Sequence, residues 1–199
     1  IYPILLGGID LAVGATAAMS GACVVLTIVK MDYSFTGVIL GILFGLAAGV
    51  MAGIAHGAIV SNFNVPPFLI TLASQNIIYG IAQLLTGNQV ISCLEPAAFT
   101  FLGGGRLFGI PFSVCILVIV ALISFWMLNR TIFGRQVYAV GGNKEASNLS
   151  GVSSKRITTV SYAISGFTAA LAGIVLASMN QQAIAKAAQG YENDVLTAI

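Results

Sequence analysis

Ser61-Asn62-Phe63-Asn64-Val65-Pro66-Pro67 divides the stretch that decides the fold. From Tyr33 to Leu94 the chain runs for 62 residues without a charged side chain. About 20 apolar residues suffice for a helix to cross the hydrocarbon core of a bilayer, so this run is too long for one span. The heptapeptide cuts it in two. Proline disfavours helix in the residue before it and suits the first helical position, so one helix ends here and the next begins.

Working outward, the charges act as a ruler. Leu11 to Val29 gives 19 uncharged residues, Leu107 to Asn129 gives 23, and Ile157 to Ala185 gives 29. Five spans are predicted: 11–29, 36–60, 67–86, 110–129 and 157–178. The predicted fold is therefore all-α, a polytopic transmembrane helical bundle forming one domain over 1–199, with a polar connector at 130–156. Composition agrees. The 199 residues are 58% hydrophobic and 7% charged, against about 25% charged in a soluble domain. Mean hydropathy is +0.99. These values exclude an ordinary soluble enzyme, a disordered regulator and a nucleic-acid binder with a broad basic face, and they make the lipid bilayer the main partner. The opening Ile1-Tyr2-Pro3 and the closing Thr197-Ala198-Ile199, inside a new apolar run, read as the ends of a piece cut from a longer chain.

Orientation follows from the basic residues. Five of the eight (Arg130, Arg135, Lys144, Lys155 and Arg156) fall in 130–156, against one acid, Glu145. The positive-inside rule puts this connector in the cytoplasm, together with Ser61–Pro66. Lys30–Phe35 and Gly87–Gly109 are then external. Cys23, Cys93 and Cys115 read as small apolar packing residues, and His56 as a satisfied interfacial histidine.

Four patterns stand out. Gly37, Gly41, Gly45, Gly49, Gly53 and Gly57 recur every fourth residue along the second span. Such a row lets neighbouring backbones approach closely, which drives helix association in lipid. The row drifts around the helix, so successive glycines face different neighbours. It marks a centrally packed helix, or a sliding surface in a moving one. Thr71, Gln75, Tyr79 and Gln83 share one face of the third span. Polar side chains at that depth face other helices or a water-filled cavity, so the stripe is either inter-helix hydrogen bonding or the wall of a solute pathway. Gly7-Gly8-Ile9-Asp10 precedes the first span, with Asp10 a candidate helix cap at an interface or in an interrupted helix. Finally, in Gly141-Gly142-Asn143-Lys144-Glu145-Ala146-Ser147-Asn148-Leu149-Ser150-Gly151, Asn143 is an N-cap and Gly151 a stop, so a short helix is predicted between them. It is either a connector lying on the membrane surface or a compact cytoplasmic knob.

No catalytic constellation, metal-ligand cluster or G-x-x-x-x-G-K-[ST] phosphate cradle occurs, so no nucleotide or metal cofactor is expected on this chain.

Several stretches carry a resemblance. Gly8-Ile9-Asp10-Leu11-Ala12-Val13-Gly14, Val65–Leu72 with Leu85-Thr86-Gly87, Phe133-Gly134-Arg135 through Gly151, and Gly190-Tyr191-Glu192-Asn193-Asp194 are similar to blocks of the permease subunit of bacterial ABC importers of the ribose, galactose, xylose and autoinducer-2 group. Ala12 replaces the usual Ser, and Asn193 the usual Leu. The resemblance implies a bacterial inner-membrane permease half for a small sugar such as a ribose-like monosaccharide. It works with a second permease chain, a separate ATPase subunit that binds the ATP, and an extracytoplasmic solute-binding protein. Glu145-Ala146-Ser147-x-x-x-Gly151 then resembles the ATPase-coupling helix, with Gly141, Gly142 and Asn143 leading into it. Asp10 and Gly14 are candidates for shaping the first helix near the pathway, and Thr71, Gln75 and Tyr79 for its wall. Permeases for nucleosides or branched-chain amino acids share this fold and remain open, as does an ATP-independent channel or carrier.

Overall fold

The computed structural model describes residues 1–63, 65–107 and 109–198; Asn64, in the predicted turn, and Ile199, in the closing run, lie outside them. One helical turn, α1 (Tyr2–Leu5), comes first, and the chain then leaves helical geometry until α2 (Val13–Lys30). Gly7 makes this break possible, because its φ of +74° is a conformation that side-chain-bearing residues avoid. α3 (Phe35–Phe63) and α4 (Pro67–Thr86) follow, and Pro67 takes the first helical position of α4. α4 stops on Gly87 at φ +61°, where the Asn88 amide returns to the Gln83 carbonyl at 2.8 Å.

The next connector holds β1 (Ile91–Ser92), α5 (Ala97–Gly104), β2 (Arg106–Leu107) and β3 (Ile110–Pro111). Then come α6 (Phe112–Arg130), α7 (Ile132–Gly142), α8 (Lys144–Leu149) and α9 (Ser154–Asn180), and finally β4 (Gln182–Ala183) and α10 (Tyr191–Thr197). β2 and β3 form a hairpin, while β1 pairs antiparallel with the distant β4 through Ile91↔Ala183 and Ser92↔Gln182. That pairing ties the exit of α9 to the exit of α4 at the end of the bundle away from α7 and α8.

α2, α3 and α9 form the centre, held by backbone proximity. On α3, Gly41 and Gly45 pack on Val24 of α2, Gly49 on Ala170 and Gly166 of α9, and Gly53 and Gly57 on Tyr162 and Thr159 of α9. The glycine row therefore drifts from one neighbour to the other. α9 answers with its own glycines: Gly166 seats the Gly49 carbonyl and Gly173 the Ala17 carbonyl. Val24, Val25 and Ile28 of α2 close one end of the core with Cys93, Phe99 and Ile174. α6 has no buried residue and presents Leu117, Phe125 and Trp126 outward, an apolar surface suited to lipid.

Among the described residues, five helices are long and apolar enough to cross a membrane, α2, α3, α4, α6 and α9, each overlapping one predicted span. Three expectations need correction. α3 runs through Phe63, past the predicted end at 60, because Ser61 Oγ and Asn62 Nδ2 donate to the Ala58 carbonyl at 3.2 and 2.9 Å. α2 begins at Val13 with Ala12 as its N-cap, so Asp10 lies two residues upstream of the capping position. The connector at 130–156 contains two helices, α7 as well as the predicted short one, because Thr131 caps α7 by accepting from the Gly134 amide at 3.2 Å.

Candidate functional site

Two interruptions of regular structure meet inside the bundle. The first is the break between α1 and α2. Asp10 organises it: Oδ1 accepts from the Ala12 amide at 3.1 Å, and Oδ2 accepts from Ser165 Oγ on α9 at 2.8 Å. Thr71 Oγ1 on α4 lies within hydrogen-bond distance of the Ile9 carbonyl in the break, at 3.2 Å, and of the Pro67 and Phe68 carbonyls of its own helix, at 3.1 and 3.3 Å, so its one hydrogen is shared among them. Gly8 is pressed against the Tyr162 hydroxyl, 2.6 Å from where a Cβ would sit. Ser165 lies eleven residues into α9, about 16 Å along its axis from Ser154, so the break packs against the body of α9 and not against its tip. Asp10 lies in non-helical backbone between α1 and α2, and its carboxylate is paired inside the protein, the condition under which irregular backbone is tolerated within a bundle.

The second interruption is the return of the chain from β4 to α10. The Ala188 carbonyl and Glu192 Oε2 lie 2.5 and 2.6 Å from the Cβ position of Gly14, so only glycine fits there. Glu192 Oε1 accepts from Gln75 Nε2 at 2.7 Å, and Oε2 accepts from the Gly190 amide at 3.1 Å. Tyr79 is 6% exposed, and its hydroxyl joins the same close contact, 3.2 Å from the Gly14 Cβ position. Gln75 lies beside it but bonds to Glu192. The Tyr79 hydroxyl has no hydrogen-bond partner among the described residues, nor does that of Tyr162.

Asp10, Gly14, Thr71, Gln75 and Tyr79 thus come together around the start of α2. The stripe on α4 faces the two interruptions, not an open lumen. A cleft of about 240 Å³ lined by Gly14, Ser165, Thr168 and Tyr191 adjoins the site. Sequence reading missed two members, Ser165 and Glu192. Ser165 carries no signal beyond a serine in a long span, whereas Glu192 was an acid inside the Gly190–Asp194 block. His56, expected at an interface, is only 4% exposed, because the α3 face that carries Gly53 and Gly57 turns inward against α9.

At the end of α1 that leads into the break, Gly141 on α7 seats the Leu5 carbonyl. Val137, Val140 and Ile157 pack with Leu5, Leu6 and Phe133 in a small core of their own. A cavity of about 400 Å³ lies above this joint, lined by Leu6, Gly8, Val140, Gly141, Lys144 and Tyr162. It leads from the α7–α8 pair toward the break. α8 is capped by Asn143, whose Oδ1 accepts from the Ala146 amide at 2.9 Å, and Ser147 Oγ donates to the Asn143 carbonyl at 2.8 Å. Gly151 turns the chain back at φ +84°. Glu145, Ala146 and Asn148 are exposed and Ser147 is buried. Leu149, which no motif singled out, is 91% exposed at the end of α8.

A bundle of helices long enough to cross a membrane, with two interruptions of regular structure inside it and a capped helical knob at the basic end, suits a polytopic transport protein. The chain matches, over residues 3–199, the family described as the branched-chain amino acid transport system / permease component, and it belongs to that family. It is therefore a multi-pass inner-membrane permease component. It is 37% identical to the ribose import permease protein of Bacillus subtilis, over 100% of this chain and 61% of that protein. It is 35% identical to the ribose import permease protein of Escherichia coli, over 98% and 61% respectively, and 34% identical to the L-arabinose transport system permease protein of that organism, over 96% and 57%. The chain thus spans about three fifths of the length of these curated relatives. No solved structure matches it.

Proposed function

We propose that this chain is part of the membrane permease of an ATP-driven importer for a small neutral sugar, a ribose-like monosaccharide. The observation that carries the sugar reading is the 33–37% identity over essentially the whole chain to permeases named for ribose import. The family description names branched-chain amino acids, and that is the second reading. The sugar names of the relatives favour the first reading, and hydroxyls, an amide and carboxylates are groups that suit a hydroxyl-rich solute.

The partners belong to the same reading: a second permease chain, an ATPase subunit and an extracytoplasmic solute-binding protein. α8 fits the ATPase. It is capped at both ends and exposed on one side, suited to a helix-in-groove contact with Leu149 as its apolar anchor. Closure of the ATPases would push α8 and α7. Gly141 would pass the displacement to α1 at Leu5, and the break at 6–12 would let α1 move relative to α2, a rigid-body switch. Residues 130–156 form the coupling connector, Glu145, Ala146 and Gly151 its docking surface, and the chain itself binds no ATP.

The test is uptake in cells carrying full-length permease with its ATPase and binding protein. Gly151→Arg places a bulky side chain at φ +84° on the docking surface and is expected to abolish ATP-dependent uptake while the protein still reaches the membrane. Intact uptake in that variant would sink the coupling reading.

A further inference from the structure

We infer that a cavity at the basic end of the bundle, between α7 and the start of α9, binds an anionic phospholipid of the surrounding membrane, its phosphate on Arg156 and an acyl chain on Ile132 and Val160. This site is separate from the one around Asp10 and Glu192, and it does not depend on which solute the permease carries.

The cavity measures about 440 Å³, within the range of about 300–1,000 Å³ usual for small-molecule sites. α7 lines it with Ile132 and Gln136, α9 lines it with Arg156 and Val160, and the turn at 151–153 closes its rim. The two residues on each helix are four apart, so each helix presents one polar and one apolar side chain on the same face. Arg156 directly precedes the uncharged run that begins at Ile157, and Val160 lies one turn further into that run, about 6 Å along the axis. Ile132 follows the end of α6 at Arg130 and is 65% exposed, although it stands where the chain leaves the membrane. The cavity therefore has a basic half and an apolar half at the level where lipid headgroups meet acyl chains.

The basic half is free to bind. The backbone amide of Arg156 donates to Ser153 Oγ at 3.4 Å, but its guanidinium enters no ion pair or hydrogen bond among the described residues. The only acid in the 130–156 connector, Glu145, does not line the cavity. A guanidinium fork suits two phosphate oxygens, and the Gln136 amide adds a neutral donor. A soluble anion would use this half alone and leave Ile132 and Val160 in water. A phospholipid fills both halves. The exposed Arg130, Arg135 and Lys155 nearby in the chain repel a cationic headgroup, so the anionic lipid is favoured over the zwitterionic one. Seated there, the lipid would tie α7 and the turn after α8 to the start of α9.

The experiment places the full-length permease in nanodiscs of equal parts phosphatidylglycerol and phosphatidylcholine. Lipid retained after extraction is counted by native mass spectrometry, at high salt, which screens exposed charges more than a seated pair. The parent is expected to retain phosphatidylglycerol preferentially. Arg156→Gln is expected to lower that preference about tenfold or more, the worth of one charge-assisted hydrogen bond. Arg130→Gln removes the same charge outside the cavity and is expected to stay within about twofold of the parent. Ile132→Ser is expected to lower retention severalfold, and excess inorganic phosphate is expected to displace none of the lipid. Arg156 is exposed, so the thermal midpoint of Arg156→Gln in phosphatidylcholine alone is expected to match the parent. Unchanged retention in Arg156→Gln, or equal losses in Arg156→Gln and Arg130→Gln, would overturn the site. Displacement by phosphate would make it a soluble-anion site instead. Retained lipid with weakened ATPase association in Arg156→Gln would give the cavity to the ATPase. Lipid retention needs neither ATPase nor solute, so its failure is read separately from a failure of uptake.

Discussion

Gly141 of α7 and Leu5 of α1 meet backbone to backbone: the Leu5 carbonyl fills the space in which a side chain on Gly141 would begin. The contact joins the exposed α7–α8 pair to the short helix that ends at the break before α2. A side chain at Gly141 must push α1 or α7 aside, an overpacking that costs about 1–3 kcal/mol in a well-packed site. Gly141→Val is therefore expected to reduce uptake severalfold more than it reduces ATPase activity in the assembled importer. Uptake and ATP hydrolysis measured in one proteoliposome preparation give the ratio. A ratio equal to that of the parent would remove Gly141–Leu5 from the transmission route.

Leu149 is 91% exposed and joins no core cluster, so its loss leaves the bundle intact. An apolar anchor buried in a partner's pocket is worth about 2 kcal/mol or more, roughly thirtyfold in Kd. Leu149→Ala is expected to leave thermal unfolding of the solubilised permease unchanged and to weaken its association with the ATPase by about that factor in a pull-down titration. Parent-like affinity would show that Leu149 contributes nothing to the contact.

The spans were readable from charge spacing because lipid penalises charge over a fixed thickness, and that constraint is written into every span. The Gly37–Gly57 row was readable for a related reason: an i, i+4 row of small residues has a direct geometric meaning on a helix. The partner glycines Gly166 and Gly173 lie seven apart on α9, a spacing that says nothing without knowledge of which carbonyls they seat. The candidate site was half readable. Asp10, Gly14, Thr71, Gln75 and Tyr79 were picked out, but the pairings Asp10–Ser165 and Gln75–Glu192 join residues 155 and 117 positions apart. No local period encodes such contacts. α7 was missed because its two terminal glycines and the preceding Thr131 read as loop, whereas Thr131 is in fact its cap.

Gly166 and Gly49 give the packing test. The Gly49 carbonyl lies against the face of Gly166, and the Gly166 carbonyl lies 2.6 Å from the Cβ position of Gly49, so the two backbones cross without side chains between them. Close approach of this kind drives helix association in lipid. Gly166→Leu is expected to destabilise the solubilised protein by about 1–3 kcal/mol, seen as a lower midpoint of thermal unfolding and reduced membrane abundance. Gly80, whose Cβ position has nothing within 4 Å, is the control: Gly80→Ala is expected to change neither. Equal effects at the two sites would mean that the α3–α9 crossing does not depend on its glycines.

Cys93 tests the connector between α4 and α6. It is fully buried against Phe99, its Sγ donates to the Glu95 carbonyl at 3.0 Å, and burial pushes its thiol pKa up to about 11. The thiolate is the reactive form, so the fraction available at neutral pH is very small, and it rises about tenfold per pH unit until the pH nears that pKa. Cys93 is therefore expected to resist N-ethylmaleimide at pH 7.5 in the folded protein and to react readily once unfolded, when the thiol pKa falls back toward its ordinary value. The readout is mass spectrometry of the labelled protein with Cys23 and Cys115 replaced by serine. Rapid labelling of the folded protein at neutral pH would mean that the β1–β4 pairing does not cover this residue, and that the contact between the exits of α4 and α9 is open in the membrane.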